Sequence, residues 1–146
     1  MKLFFYGTLL HSFDNALTRM LSTKLKFEAH GTVLGELYWI LEENNFYPAL
    51  VKSRKAKSYI VHGAIYETTN SFSASDLAAI DKYEEFYSHD LQRSEYRREE
   101  INVMLKNRTT TKAQCYIYNY PTPADAQLIK SGSFTEFIGM SDNLRG

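Results

Sequence analysis

The chain has 146 residues, the length of one ordinary domain and enough to bury a core without disulfide or metal staples. It is 44% hydrophobic and 23% charged, and its 17 basic residues balance 17 acidic ones, so no net field draws it to nucleic acid or to an anionic membrane. The single Cys115 excludes an internal disulfide and a multi-cysteine metal site, and suits a reducing, cytoplasmic setting.

Leu3-Phe4-Phe5-Tyr6, ended by Gly7, predicts a buried strand feeding a turn. That run is too short for the apolar core of a signal peptide, and no stretch approaches the ~20 apolar residues of a membrane span. Ser12 or Asp14 is expected to cap a short helix carrying Leu17 and Met20 or Leu21. From about Lys24 to Leu41 the residues favour strand, and Gly31 and Gly35 within it predict bulges or bends, as in a sheet that curls on itself. Asn44 to Pro48 is expected to be a loop, because a proline disfavours helix at Tyr47 and removes a ladder donor. Lys52 to Lys57, with four basic residues, reads as a solvated connection, and Tyr59 to Tyr66 as a strand.

Ser71 to Phe86 predicts the clearest helix, with Ser73 and Asp76 as a capping pair. A polar link, a strand from about Tyr96 to Leu105, a turn at Asn107 to Thr110 and a strand from Ala113 to Tyr120 follow. Pro121 and Pro123 close that strand, and a short helix from Asp125 to Lys130 and a turn at Ser131-Gly132-Ser133 complete the pattern. Many strands, few helices and no regular alternation predict an α+β fold on a curled or barrel-like sheet, as a single domain over residues 1–146.

On the helix, Leu77, Ile80, Glu84 and Tyr87 fall within one arc about 80° wide, so Glu84 shares the core-facing side while Glu85 turns away. Asp81 borders the stripe. Burial raises a carboxyl pKa toward the range of a general base. Position alone leaves a second reading open, an ion pair with Arg93, Arg97 or Arg98. The other notable site is Tyr6-Gly7-Thr8-Leu9, where a glycine after a strand lets successive N–H groups converge on an oxygen.

Taken together and in order, these elements resemble the gamma-glutamylcyclotransferase-like family. Its opening Tyr-Gly-Ser/Thr-Leu loop is matched by Tyr6 to Leu9. Its Gly-x-Leu-Tyr and Tyr-Pro-Ala elements are matched by Gly35 to Tyr38 and Tyr47 to Ala49, and its Val-x-Gly strand by Val61 to Gly63. The helix motif Leu/Ile-Asp-x-aromatic-Glu is matched by Ile80 to Glu84, and the Tyr-x-Arg strand start by Tyr96 to Arg98. The late aromatic strand is matched by Cys115 to Tyr118, and the terminal Ile-x-Ser-Gly by Ile129 to Gly132. Three departures stand out: Glu85 sits where the family often has glycine, Ser133-Phe134 replaces an Asp-aromatic pair, and the link from Glu84 to Tyr96 is long.

The resemblance implies cyclisation of a gamma-glutamyl amine or gamma-glutamyl amino acid to 5-oxoproline and a free amine, with no cofactor. It implies Glu84 as the acid/base residue, and the main chain of Gly7, Thr8 and Leu9 as the holder of the glutamyl carboxylate or the oxyanion. Tyr6, Tyr47, Tyr96, Tyr116 and Tyr118 are candidate pocket walls; the two-residue period puts Tyr116 and Tyr118 on one strand face and Cys115 and Ile117 on the other. The implied partner is a small gamma-glutamyl molecule, not nucleic acid or membrane, and oligomeric state is not readable. His11, His30, His62 and His89 lack metal-ligand spacing, and Cys115 reads as a buried filler. Two rivals stay open: a tyrosine-rich sheet that stacks single-stranded nucleic acid, which zero net charge disfavours, and a family member that binds a gamma-glutamyl-like ligand or a protein without turnover.

Overall fold

The computed structural model describes residues 1–7, 16–42, 45–52 and 59–138. Strands β1 (Lys2–Phe5), β2 (Leu25–Leu34), β5 (Ile60–Thr68), β6 (Tyr96–Met104) and β7 (Thr110–Tyr118) close a barrel in the order β1-β5-β2-β6-β7. Strands β3 (Glu36–Glu42), β4 (Asn45–Val51) and β8 (Gln127–Leu128) form a second sheet in the order β4-β3-β8. Two helices, α1 (Ala16–Leu21) and α2 (Ala74–Tyr83), complete these elements, and residues 134–138 are helical as well. The expected α+β fold on a barrel-like sheet is the fold found. Among the described residues, no helix is long and apolar enough to cross a membrane.

Strand alternation sorts the apolar residues into two cores, one on each face of the barrel sheet. Leu3, Phe5, Ala64, Tyr66, Tyr116 and Tyr118 share one of them with Leu21 of α1 and Ile80 of α2. Phe4, Tyr6, Val33, Ile65, Val103, Cys115 and Ile117 share the other with Leu37, Leu50 and Phe134. Both faces of β1 are therefore covered from Leu3 on, which is why Leu3, Phe4 and Phe5 are apolar without alternation. Tyr116 and Tyr118 lie on the face opposite Cys115 and Ile117, as the period predicts.

Three expectations need correction. Asn44 lies outside the described residues, but Asn45 to Pro48 is strand, not loop: Pro48 sits in β4 opposite Trp39. The Leu50 N–H, two residues on and on the same edge, goes to the Tyr6 hydroxyl, so the Pro48 nitrogen faces away from β3 and the ladder loses no donor. The helix expected over Asp125 to Lys130 is a turn leading into β8, because Ile129 N–H bonds the Leu37 carbonyl and the segment pairs with β3 instead. Helix α2 is shorter than its periodicity suggests, ending at Tyr83. Its start is as predicted, with Ser73 and Asp76 forming a reciprocal capping box. The expected caps Ser12 and Asp14 lie outside the described residues.

Candidate active site

Glu84 is the C-cap of α2. The Glu85 N–H bonds the Lys82 carbonyl at 3.1 Å and the Phe86 N–H reaches back to Asp81 at 2.8 Å, the paired bonds of a Schellman turn. The turn demands a left-handed residue just past the cap, and Glu85 supplies it with φ 52°. Its carbonyl then accepts the Glu95 N–H at 3.0 Å, tying the end of α2 to the start of β6. Glu84 and Tyr96 are thus held together by backbone across an eleven-residue link that is itself pinned by buried Ser94, whose hydroxyl meets the main chain of Tyr87 and Asp90.

The ion-pair reading of Glu84 has no support among the described residues. Arg93 pairs with Asp90, Arg97 with Glu99, and Arg98 with Asp81. Burial, reinforced by the neighbouring Glu95 carboxylate, pushes the Glu84 pKa up to about 8. Burial first, and then charges that include Glu84, also hold the hydroxyls of Tyr6 and Tyr96 and the thiol of Cys115 well above their ordinary values. The two phenols and the thiol therefore lie within electrostatic reach of Glu84 and stay protonated at neutral pH, whereas Glu84, at about 8, is the group that exchanges its proton near neutrality.

The tyrosines divide by role. The Tyr6 hydroxyl donates to the Tyr116 carbonyl at 2.7 Å and accepts the Leu50 N–H at 3.2 Å, so it joins strands β4 and β7. The Tyr96 hydroxyl donates to the Pro48 carbonyl at 2.6 Å. Their phenols serve as struts between the sheets, and only their rings are left as walls. Tyr47, Tyr96 and Tyr118 form one aromatic cluster, with ring centroids 6.4 Å apart for Tyr47–Tyr96, 6.5 Å for Tyr47–Tyr118 and 5.6 Å for Tyr96–Tyr118. Tyr116 turns to α2, where its hydroxyl donates to Asp81. Gly7 lies so close to β4 that a Cβ there would stand 2.6 Å from Pro48 Cγ. Thr8 and Leu9 lie outside the described residues.

A family model described as gamma-glutamyl cyclotransferase, AIG2-like, matches residues 3–136. The chain belongs to that family. Among solved structures, an uncharacterized protein of Pyrococcus horikoshii is similar at TM-score 0.64 and 20% identity, over 98% of this chain and 97% of its own. A mouse AIG2-like protein is similar at TM-score 0.59 and 23% identity, over 84% and 79%. A protein named gamma-glutamyl cyclotransferase is similar at TM-score 0.56 and 14% identity, over 83% and 68%. At these identities the likenesses speak for the fold alone. No curated protein matches the chain in sequence.

Two residues of this cyclotransferase-family chain escaped the sequence reading. Asp81, placed only at the border of the helical stripe, receives Arg98 Nε at 3.0 Å and the Tyr116 hydroxyl, fastening α2 to β6 and β7. Its place in the Ile-Asp-x-aromatic-Glu motif was the signal for it. Glu95 acts on Glu84, and its only sequence signal was a carboxylate immediately before the Tyr-x-Arg strand. Cys115 is fully buried, in keeping with its reading as a filler.

Proposed function

We propose that the protein cyclises a gamma-glutamyl amine or gamma-glutamyl amino acid to 5-oxoproline, releasing the free amine. The observation that carries this reading is Glu84: a half-buried carboxyl with no described cationic partner, beside Glu95, whose pKa of about 8 suits proton transfer near neutral pH.

The substrate's own α-amine attacks its side-chain carbonyl carbon, so the nucleophile is intramolecular and the five-membered ring forms with much of the entropic barrier already met. Glu84 takes a proton from that amine as the new C–N bond forms. The carbonyl electron pair moves to oxygen, and the main chain of Gly7, Thr8 and Leu9 holds either that oxyanion or the glutamyl carboxylate. The oxyanion then collapses, the bond to the leaving nitrogen breaks, and Glu84 returns the proton to the departing amine. Tyr96, which feels the Glu84 charge and packs against Tyr47 and Tyr118, supplies apolar wall beside Glu84.

The test is to follow 5-oxoproline from gamma-glutamyl-alanine, gamma-glutamyl-ε-lysine, glutathione and a gamma-glutamyl alkylamine, with the Glu84→Gln variant in parallel. At least one substrate is expected to react, and the variant to lose two or more orders of magnitude in kcat, in the range general acid–base catalysis supplies. A variant as fast as the parent removes Glu84 from the mechanism. A panel in which nothing reacts favours a protein that binds without turnover.

A further inference from the structure

The long link between Glu84 and Tyr96, where the chain departs from its family, is stitched to the exit of β7 by Asn119. The Asn119 N–H donates to the Glu95 carbonyl at 2.8 Å, and its Nδ2 donates to the carbonyls of Leu91 at 2.7 Å and Ser94 at 2.9 Å. Glu95 in turn donates its N–H to the Glu85 carbonyl. Backbone hydrogen bonds therefore run from the turn that carries Glu84, through Glu95, to the residue just before Tyr120. Neighbouring chains bonded in this way lie about 4.8 Å apart, so the Tyr120 corner stands roughly 10 Å from the Glu84 turn.

The side chains follow the same path. Tyr96, held beside Glu84 by the Glu95–Glu85 bond, pairs with Tyr118 across β6 and β7, with ring centroids 5.6 Å apart. Tyr118 meets Tyr120 edge to face at 6.1 Å. Tyr96 and Tyr118 are buried, whereas Tyr120 is 39% exposed. An aromatic wall thus begins in the core beside Glu84 and ends at the surface, with Tyr120 as its open end. Leu91, held to Asn119 through its carbonyl, adds a second exposed apolar side chain at this corner.

The glutamyl end lies the other way. Gly7 packs on Pro48, and the Pro48 carbonyl accepts the Tyr96 hydroxyl. From Gly7 the order of contact is Pro48, Tyr96, Tyr118 and Tyr120, and Glu84 stands beside Tyr96, in the middle. Glu84 must reach both the attacking and the leaving nitrogen. A glutamyl group held at Gly7 therefore sends its leaving half toward Tyr118 and Tyr120.

We infer that Tyr118 and Tyr120 form a leaving-group subsite that takes an aromatic ring, so that the preferred substrates are gamma-glutamyl amides of aryl-bearing amines. A ring placed against Tyr120 extends the series of tilted and edge-to-face contacts that the tyrosines already make. This rests on the cyclotransferase reading above and deepens it by naming the leaving amine.

The experiment compares gamma-glutamyl-phenethylamide with gamma-glutamyl-ethylamide, which differ by one phenyl group. The parent is expected to favour the phenethylamide about tenfold in kcat/KM, chiefly through KM, the worth of one aromatic contact. Tyr120→Ala brings that ratio toward one, whereas Tyr120→Phe, which keeps the ring, preserves it. Melting curves establish that both variants fold. Equal turnover of the two amides by the parent overturns the subsite, as does a ratio that survives in Tyr120→Ala or is lost equally in Tyr120→Phe. If neither amide yields 5-oxoproline the cyclotransferase reading fails instead, and calorimetric titration of the same pair decides the subsite. Tighter binding of the phenethylamide, weakened in Tyr120→Ala, upholds it; equal binding or none overturns it.

Discussion

A carboxyl group with a pKa of about 8 in the folded chain and an ordinary value of 4.5 holds its proton more tightly folded than unfolded. Its contribution to stability is therefore complete below about pH 4.5 and is lost as pH rises through about 8. Glu84 thus carries a conflict between chemistry and stability, since the ionised form needed as a base is the form that the fold resists. Glu84→Gln is expected to melt several degrees above the parent at pH 9 and to coincide with it near pH 5, a comparison that calorimetry makes directly. An unchanged difference across that range would remove the buried, proton-holding carboxyl. The same electrostatics assigns work to Glu95. Because its charge is the second cause of the raised pKa, after burial, Glu95→Gln is expected to move the acid limb of the pH–rate profile of 5-oxoproline formation to lower pH. The inward face of Glu84 was legible from helical spacing, since that depends only on neighbours in sequence. The neighbourhood of Glu95 was not, because it comes from a backbone bond between Glu95 and Glu85 across the link after α2.

Helix α2 shows where local pattern stops being informative. Its beginning is written in side-chain chemistry, with Ser73 and Asp76 satisfying each other's backbone N–H groups. Its end is written in backbone conformation. The left-handed residue is Glu85 where the family often has glycine, and apolar residues continue through Phe86, so nothing in the spacing marks a stop. A side chain in this region costs about 1 kcal/mol or more, partly offset because glycine loses more freedom on folding. Glu85→Gly is accordingly expected to stabilise the protein by ~0.5–1 kcal/mol, raising the denaturant midpoint at unchanged slope. A fall in midpoint would mean that the exposed Glu85 carboxylate makes a contribution its geometry does not reveal. Strands β4 and β8 were misread for a related reason. Pro48 is tolerated because its nitrogen faces the outer edge of β4, and Gln127–Leu128 is extended because β3 offers a partner, two facts that no local window contains.

At the scale of the whole molecule, the bend at Gly35 was legible from its glycine, but the irregularity of β2 lies between Phe27 and Ala29 and not at Gly31, and which strands close the barrel was not legible. Closure depends on pairings remote in sequence, such as Leu3 with Gln114 and Thr32 with Met104. The register then explains the glycines: Gly31 and Gly63 stand opposite each other on β2 and β5. A Cβ on Gly63 would lie 2.5 Å from both Phe4 Cζ and the Phe5 carbonyl oxygen. The ring has some freedom to turn aside, but the carbonyl belongs to β1, whose Phe5 and Phe4 pair with Ala64 and Ile65 next along β5. Relief of the clash must then spread β1 from β5, and with β1 goes Gly7 at the candidate active site. Gly63→Ala is expected to cost roughly 3 kcal/mol, at the upper end of overpacking, and to lower the melting temperature by roughly 10 °C. His62→Ala, one residue away on the exposed face, is expected to stay within about 0.5 kcal/mol of the parent. If the two variants melt together, the close approach of β1 to β5 is not what shapes this end of the barrel.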